Sequence, residues 1–520
     1  MNKPGFATKV IAVLFLLFIF AMALINMGVL KEPFETYKDS KDFSALTENI
    51  AQAYRNNMHG RTAFINMNGT YARVSGNRVS NGIIRLKDGS LAEVYGGSDP
   101  TDGAEKITEL KEYLQDRDIP FLYVQAPRKP GDNPELLPAG TENNTNRDAD
   151  KAVEILHNNG VSVLDLRPTL LENEESIQKY FYKTDHHWNA EGAFVAYQII
   201  TQSIQEQFPE ENIVGETTDR NNWQLHTRKN FFLGSHGRRV GIGFAGLDDL
   251  IWLTPKFDTD LSCSIPSKRI FRRGPFAESA LDTKYMTGNP NYYGSNPYCI
   301  HTGTDYPHVQ FRNANAPSNL KVLLIKESYG LPVEGFLSTT FQQVDTLDLR
   351  HLKNVSALDK IESFDPDIVL VMYNGMAYNT PDFFAFGDMN REVTLSNVVF
   401  EGENFLLDAQ ADNNFRNQKV ATVDCGKTYT LTVDSVSTFG NPTDCVGFIL
   451  YDPETIKTYD TYTADLKFTE ESGGKIRWVF TVPDAPEGTL NLLIYPSLPS
   501  KTAGIGAEFT GVSLYEGILE

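Results

Sequence analysis

The chain has 520 residues, 41% of them hydrophobic and 22% charged. That is too long for one ordinary core and points to two or three folded domains. Its 47 Lys and Arg against 67 Asp and Glu leave a formal net charge of −20. Neutralising phosphates takes a basic field, so nucleic acid is excluded as a natural partner, while neutral or weakly charged ligands such as sugars remain open.

From Val10 to Leu30 the chain is apolar, with Asn26 its only clearly polar side chain. The run matches the ~20 residues that cross ~30 Å of hydrocarbon as a helix. Lys3 and Lys9 precede it without an acid, whereas Lys31, Lys38 and Lys41 are mixed with Glu32, Glu35, Asp39 and Asp42. That bias puts residues 1–31 down as a cytoplasmic N-terminus and transmembrane anchor, with the bulk outside at the cell surface. The rival reading is a cleaved signal peptide, with Ala21-Met22-Ala23 as the small-residue cleavage site.

Residues 32–100 read as polar and irregular, with a helix from Ala45 to Asn56. Thr101 to Asp116 then reads as a helix and Ile119 to Gln125 as a buried strand. Asp148 to Asn158 and Val161 to Leu166 repeat the pair. Such alternation predicts βαβ units and a mostly parallel sheet. A helix from Ala190 to Phe208 carries Phe194, Tyr197, Ile200 and Ile204 on one stripe, capped by Asn189. Residues 209–318 read as an insertion of long loops and short strands. Alternation resumes with strands at Lys321–Ile325, Val344–Leu349 and Asp367–Tyr373, closing an α/β domain over 32–387. Beyond Asp388 the period becomes two, at Thr428–Val433, Val446–Tyr451, Ile476–Val482, Leu490–Tyr495 and Phe509–Tyr515. This predicts a β-sandwich over 396–520, like a carbohydrate-binding module in architecture. Tyr451, Tyr459 and Tyr462 are candidates there for a sugar-stacking platform or for core packing. Calcium binding by its acidic residues stays open, without an EF-hand-type loop. Four cysteines in an exported chain suggest the local disulfides Cys263–Cys299 and Cys425–Cys445, one of three connectivities. No Cys/His cluster has zinc-ligand spacing, so no metal is expected, and no cofactor is implied.

The densest polar cluster is Tyr182-Lys183-Thr184-Asp185-His186-His187-Trp188-Asn189. In an extended segment Asp185 and His187 project to one side and His186 to the other. A carboxylate beside an imidazole accepts its Nδ1–H and leaves Nε2 free as a base. An Asp–His pair is equally a structural device or half of a metal site. Farther on, strand Lys321–Ile325 runs into Lys326-Glu327-Ser328-Tyr329-Gly330 and a helix. A Ser at such a turn can be a nucleophile with backbone N–H groups around it, or simply a cap.

Together the strings YKTDHHWN, VLLIKESYG and VDTLDLR resemble the DHHW proteins, which are similar to the alginate O-acetyltransferases of the SGNH-hydrolase-like superfamily. The resemblance covers roughly residues 45–385. It implies an SGNH-like (flavodoxin-like) α/β fold and a triad of Ser328, His187 and Asp185. Asp/His precedes Ser here, as in a circularly permuted version. The resemblance further implies Asn374 as a side-chain oxyanion donor and, more weakly, Arg350 as a donor or acceptor-sugar contact. The superfamily's Gly-Asp-Ser stands here as Lys326-Glu327-Ser328, acidic before the Ser but without the glycine. Trp188 is a candidate for stacking on a sugar, and Tyr329 for a backbone N–H or a site wall. Arg128, Lys129, Arg228, Lys229, Arg238, Arg239, Arg272 and Arg273 could ring a cleft for an anionic polysaccharide or be solvated loop charge.

The implied activity is transfer of an acyl group, acetyl by the resemblance, to a cell-surface or secreted polysaccharide. Its partners would be the polysaccharide acceptor and a multi-spanning membrane protein that hands the acyl group across. A carbohydrate acetylesterase with the same triad and a non-catalytic glycan-binding scaffold are the alternatives.

Overall fold

A computed structural model describes residues 6–93, 95–131, 134–353, 355–391, 395, 397–408, 418–439, 445–464, 476–497 and 506–519. Its centre is an eight-stranded mixed sheet. The strands are β1 (Phe121–Ala126), β2 (Val163–Asp165), β3 (Leu261–Ile265), β4 (Ile270–Gly274), β5 (His308–Asn313), β6 (Ser318–Lys326), β7 (Phe341–Leu347) and β8 (Ile368–Asn374). Their order is β2-β1-β8-β6-β7-β5-β3-β4. The first five are parallel, and β5, β3 and β4 extend the sheet antiparallel.

Side chains alternate between the two faces of β6, as a pleated strand requires. Val322 and Leu324 enter one core with Phe194, Tyr197, Ile200, Val333 and Phe336. Leu323 and Ile325 enter the other with Ile107, Leu110, Leu156, Leu358 and Ile361. Helices Ala190–Gln207 and Gly330–Thr340 thus cover one face, and helices Thr101–Gln115, Thr145–Asn158 and Ala357–Phe364 the other. β6 is buried on both sides, which is why its sequence is continuously apolar rather than alternating. The registers Lys326↔Met372 and Asn374↔Ala126 align the C-terminal ends of β6, β8 and β1. Ligand sites in open α/β sheets form at that edge.

Two segments differ from their sequence expectation. Residues 32–100 are ordered, with helices Lys31–Ser40, Phe43–Asn57 and Arg61–Val74 followed by a small three-stranded sheet within 79–93. Helix Phe43–Asn57 was expected at Ala45–Asn56, whereas Lys31–Ser40 and Arg61–Val74 escaped notice because apolar side chains such as Phe34 and Met67 face outward and blur the period. The insertion 209–318 is not mainly loop. It supplies β3, β4 and β5 and a hairpin of Trp223–Phe232 with Asp248–Pro255.

At the N-terminus, helix Phe6–Ile25 is long and apolar enough to cross a membrane and buries none of its residues against the protein. A signal sequence has the same length and composition. Asn26 lies just beyond the helix. Its amide donates to the Met22 carbonyl at 2.9 Å, and its oxygen accepts from the His59 N–H at 2.6 Å.

The C-terminal part is a β-sandwich. One sheet holds Asn397–Asp408, Thr428–Val433, Ser435–Phe439, Ile476–Thr481 and Gly506–Glu516; the other holds Gln418–Asp424, Cys445–Asp452, Lys457–Ala464 and Thr489–Ser497. Leu431, Trp478 and Phe509 from the first meet Phe448, Leu492 and Ile494 from the second in a shared core. The sandwich docks on the α/β domain through the buried pair Lys360–Asp460 at 3.0 Å and through Asp359, which accepts from Thr481 N at 2.9 Å. Tyr459 and Tyr462 are half-buried against the sandwich core, and Tyr451 against Ile449 and Leu493.

The local disulfide Cys263–Cys299 is not formed. Both are free buried thiols, pushed up by burial to about 12 and about 11 respectively. Cys263 points from β3 into the sheet core, where Arg272 is its polar neighbour at 3.9 Å. Cys425 is also a free thiol, and the Cys445 side chain lies outside the described residues.

Candidate active site

The Tyr182–Asn189 string forms a tight loop pinned at its base. Phe181 and Trp188 pair as an isolated antiparallel bridge, and Asn189 N–H donates to the Tyr180 carbonyl at 2.8 Å. Asn189 then caps the next helix by accepting from Glu191 N and Gly192 N. Both ends being fixed, the intervening residues present their polar groups toward the edge of the sheet.

There the loop meets the turn after β6. Asp185 Oδ1 lies 2.5 Å from His187 Nδ1, and His187 Nε2 lies 2.7 Å from Ser328 Oγ. Residues 141 positions apart are thus joined in one hydrogen-bonded line. Asp185 and His187 are buried, while Ser328 is half-buried and reachable. Burial opposes ionisation of Asp185. The two adjacent imidazoles and the Ser235 N–H outweigh it and hold its carboxyl well below the usual range. The ring of Tyr298 stacks on His187 at 4.0 Å, fixing the plane of the imidazole.

His186 does not project away from this line. Its ring lies 3.7 Å from that of His187, and Nδ1 lies 2.8 Å from Ser235 Oγ. Burial, then the neighbouring His187, pushes its imidazole well below the usual value, so it stays neutral.

The insertion clamps the loop from behind. Ser235 N–H donates to Asp185 Oδ2 at 2.5 Å. Asp248 accepts from the backbone N–H groups of Lys183 and Thr184, at 2.8 and 2.7 Å, and from the Thr184 hydroxyl. Gly234 packs on the Asp185 backbone so closely that a Cβ there would lie 2.3 Å from Asp185 Cβ and 2.6 Å from Asp185 N. Gly234→Ala is therefore expected to displace Asp185. Activity should fall by about 10²-fold, as for a misplacement of about 1 Å, with a stability loss of about 1–3 kcal/mol. Ester turnover and thermal unfolding check this, and an unchanged rate would show that the insertion does not hold Asp185.

Glu327 lies beside the serine. Its carboxylate accepts from Ser328 Oγ at 3.0 Å, from Tyr329 N–H at 3.2 Å and from Asn374 Nδ2 at 3.2 Å. Burial raises its pKa against the pull of Arg350 and His187. One hydroxyl hydrogen cannot serve both Glu327 and His187. With Glu327 protonated, its O–H donates to Ser328 Oγ, and the serine hydrogen is left for His187. Asn374 thus reaches the neighbour of Ser328, with its amide engaged by Glu327.

The other expected contacts divide. Trp188 and Tyr329 are fully buried, so neither side chain can stack on or wall a substrate. Instead Trp188 Nε1 donates to the Tyr329 carbonyl at 3.1 Å, and the Tyr329 hydroxyl to the His186 carbonyl at 2.5 Å, tying the two loops together. The apolar bulk of a large aromatic at that junction outweighed any contact role. Arg350 is gripped by Asp348 and Asp305, at 2.5 and 3.0 Å. Most of the basic residues are held by local partners. Arg128 and Arg239 pair with Glu93, Lys129 is buried and donates to the Tyr182 carbonyl, Arg272 caps carbonyls of Leu281 and Thr302, and Arg228 caps those of Met286 and Gly288.

Among the described residues, two groups have metal-ligand proximity: Asp185, His186 and His187, and Asp305, Asp348 and His351. The first already spends its ligand atoms on Ser328 and Ser235. The second already holds cations, because Lys326 lies 3.5 Å from Asp305 and Arg350 grips both carboxylates. Neither fits a metal better than what it holds.

The mixed sheet, with Ser328 after a central strand facing the buried Asp185–His187 pair, has an SGNH-like arrangement. Residues 89–231 match the family described as SGNH hydrolase-like domain, acetyltransferase AlgX. The resemblance carried by the DHHW string is thereby met. Among solved structures, Bacillus cereus PatB1 is 20% identical over 59% of this chain and 99% of that chain, with a TM-score of 0.49. A DHHW family protein from Eubacterium siraeum is 18% identical over 59% and 95%, with a TM-score of 0.45. Pseudomonas aeruginosa AlgX is 14% identical over 84% and 94%, with a TM-score of 0.33. No curated protein matches the chain.

Gly234, Ser235, Asp248, Tyr298 and the contacts of Glu327 were not found from sequence. One signal was present for the first of these: the glycine-dense string Gly234-Ser235-His236-Gly237, followed by Gly241, Gly243 and Gly246. Glycines so dense mark close backbone approach.

Proposed function

We propose that the chain is a membrane-anchored, extracytoplasmic O-acyltransferase that places acetyl groups on a cell-surface or secreted polysaccharide. The observation that carries this reading is the continuous line Asp185–His187–Ser328, at 2.5 and 2.7 Å, ending on a reachable hydroxyl. The acetyltransferase family match adds the acyl group.

The mechanism is double displacement. Ser328 Oγ attacks the donor carbonyl while His187 Nε2 takes its proton, and Asp185 stabilises the imidazolium. The imidazolium returns the proton to the leaving group, which departs and leaves acetyl-Ser328. His187 then takes the proton of a sugar hydroxyl as its oxygen attacks the acetyl carbonyl, and collapse returns the proton to Ser328. Tyr329 N–H and the Asn374 amide are the nearest donors for the oxyanion, once released from Glu327. Such donors contribute about 3–4 kcal/mol each. Helix Phe6–Ile25 would hold the enzyme beside a multi-spanning membrane partner that supplies the acyl group.

The test offers an activated acetyl ester with candidate oligosaccharides to the full-length protein. Acetylated oligosaccharide, absent with Ser328→Ala, is the expected product. Free acetate alone, whatever glycan is offered, would overturn transfer in favour of ester hydrolysis.

A further inference from the structure

Helix Arg61–Val74 joins the N-terminal apolar helix to the active-site loops. Its first turn rests on the apolar helix, with the Phe64 ring 6.3 Å from Phe18. Phe18 lies seven residues before the end of that helix at Ile25, which is about 10 Å of rise. One face of the Arg61–Val74 helix packs on the insertion. Gly69 lies against Val240 and Phe244, and Asn66 Oδ1 accepts from Ile242 N–H at 2.8 Å. That segment leads back to Ser235 and so to Asp185.

About 100° round the helix, Met67, Tyr71 and Val74 repeat at spacings of four and three and so share one face. They are 64%, 73% and 83% exposed. Phe43 at the start of the preceding helix is 69% exposed. Between Arg61 and Val74 the helix carries two arginines and no acid, in a chain of net charge −20.

We propose that helix Arg61–Val74 lies in the outer boundary of the lipid bilayer, with Met67, Tyr71 and Val74 inserted among the acyl chains. This rests on the reading of Phe6–Ile25 as a retained anchor. Three observations choose lipid as the occupant. The stripe is continuous with the anchor helix. The Phe18–Phe64 contact sets the start of the helix about 10 Å along the anchor from its outer end, near the headgroup–acyl boundary into which interfacial helices bury an apolar face by about 5–10 Å. Its net positive charge suits phosphate headgroups. A helix docked in this way, and packed rigidly on the segment that holds Asp185, fixes the height and tilt of the active site above the membrane.

The test uses full-length protein in liposomes of phosphatidylcholine and phosphatidylglycerol. Cys425→Ser and Cys445→Ser leave Cys263 and Cys299, both buried, as the remaining thiols. Tyr71→Cys, or Glu105→Cys on an exposed helix of the α/β domain, then takes an environment-sensitive fluorophore. The label at 71 is expected to shift to the blue and to be quenched several-fold by lipids carrying a nitroxide on the acyl chain, with the label at 105 unaffected. A label at 71 as wet as that at 105, in protein that resists carbonate extraction, would overturn the docking and leave the anchor standing. A wet label in protein that carbonate releases would overturn both.

Discussion

Ser328→Ala is expected to lower turnover of an activated acetyl ester by about 10⁶-fold, the scale seen when a triad nucleophile is removed. The reason is specific to this geometry. Ser328 Oγ is the reachable end of the Asp185–His187 line, and no other hydroxyl is hydrogen-bonded to His187 Nε2 among the described residues. Folding should survive, since the oxygen is removed from a half-buried position and the turn is held by backbone bonds from Gly330 N–H to Glu327 and from Leu331 N–H to Ser328. Adding His187→Ala to Ser328→Ala should cost little more than Ser328→Ala alone, because the two act as a unit. Steady-state kinetics with both single variants and the double variant check this. Additive losses would mean that the residues act independently.

Asp185→Asn is expected to cost about 10⁴-fold in kcat, because an amide can present its N–H to His187 and favour the wrong tautomer. The substitution has a second consequence. Asp185 has a folded-state pKa depressed below its unfolded value. Its contribution to stability is therefore present above an unfolded pKa of about 3.9 and is lost as pH falls through the still lower folded value. The wild-type protein should thus lose this contribution only in strong acid, and Asp185→Asn should lack that part of the acid dependence. Denaturant melts of both proteins between neutral and strongly acidic pH measure the difference. Parallel pH profiles would mean that Asp185 is not held ionised by the imidazoles. Glu327 shifts in the opposite direction, raised by burial, so its deprotonation falls nearer to working pH than that of an exposed carboxylate.

Much of the fold was legible because its strands are buried on both faces. β6 and β8 appear in sequence as unbroken apolar runs, and the structure finds them within a few residues of the expected bounds. The sandwich strand Thr428–Val433 was legible to the residue because one face is core and the other polar. The antiparallel extension of the sheet was not. Ile270–Gly274 carries Arg272 and Arg273, whose side chains serve carbonyls and Asp260 rather than a hydrophobic face, so no period-two pattern survives. At the site, Asp185, His187 and Ser328 were visible through a rare string and a strand–turn–helix. The elements that aim them were not, because Gly234 acts by having no side chain and Ser235 by its backbone N–H. Trp188 shows the opposite failure. An aromatic next to the Asp–His pair invites a sugar-stacking role, and burial is a property of the assembled loops that sequence does not carry.

The central claim is that Ser328 carries the acyl group. Intact-mass spectrometry of the full-length protein, mixed briefly with an activated acetyl ester, tests it most directly. A single acetyl mass on the wild-type chain, mapped by peptide fragmentation to Ser328 and absent from Ser328→Ala, is the predicted result. An acetyl group mapped to another residue, or one that persists in Ser328→Ala, would contradict it.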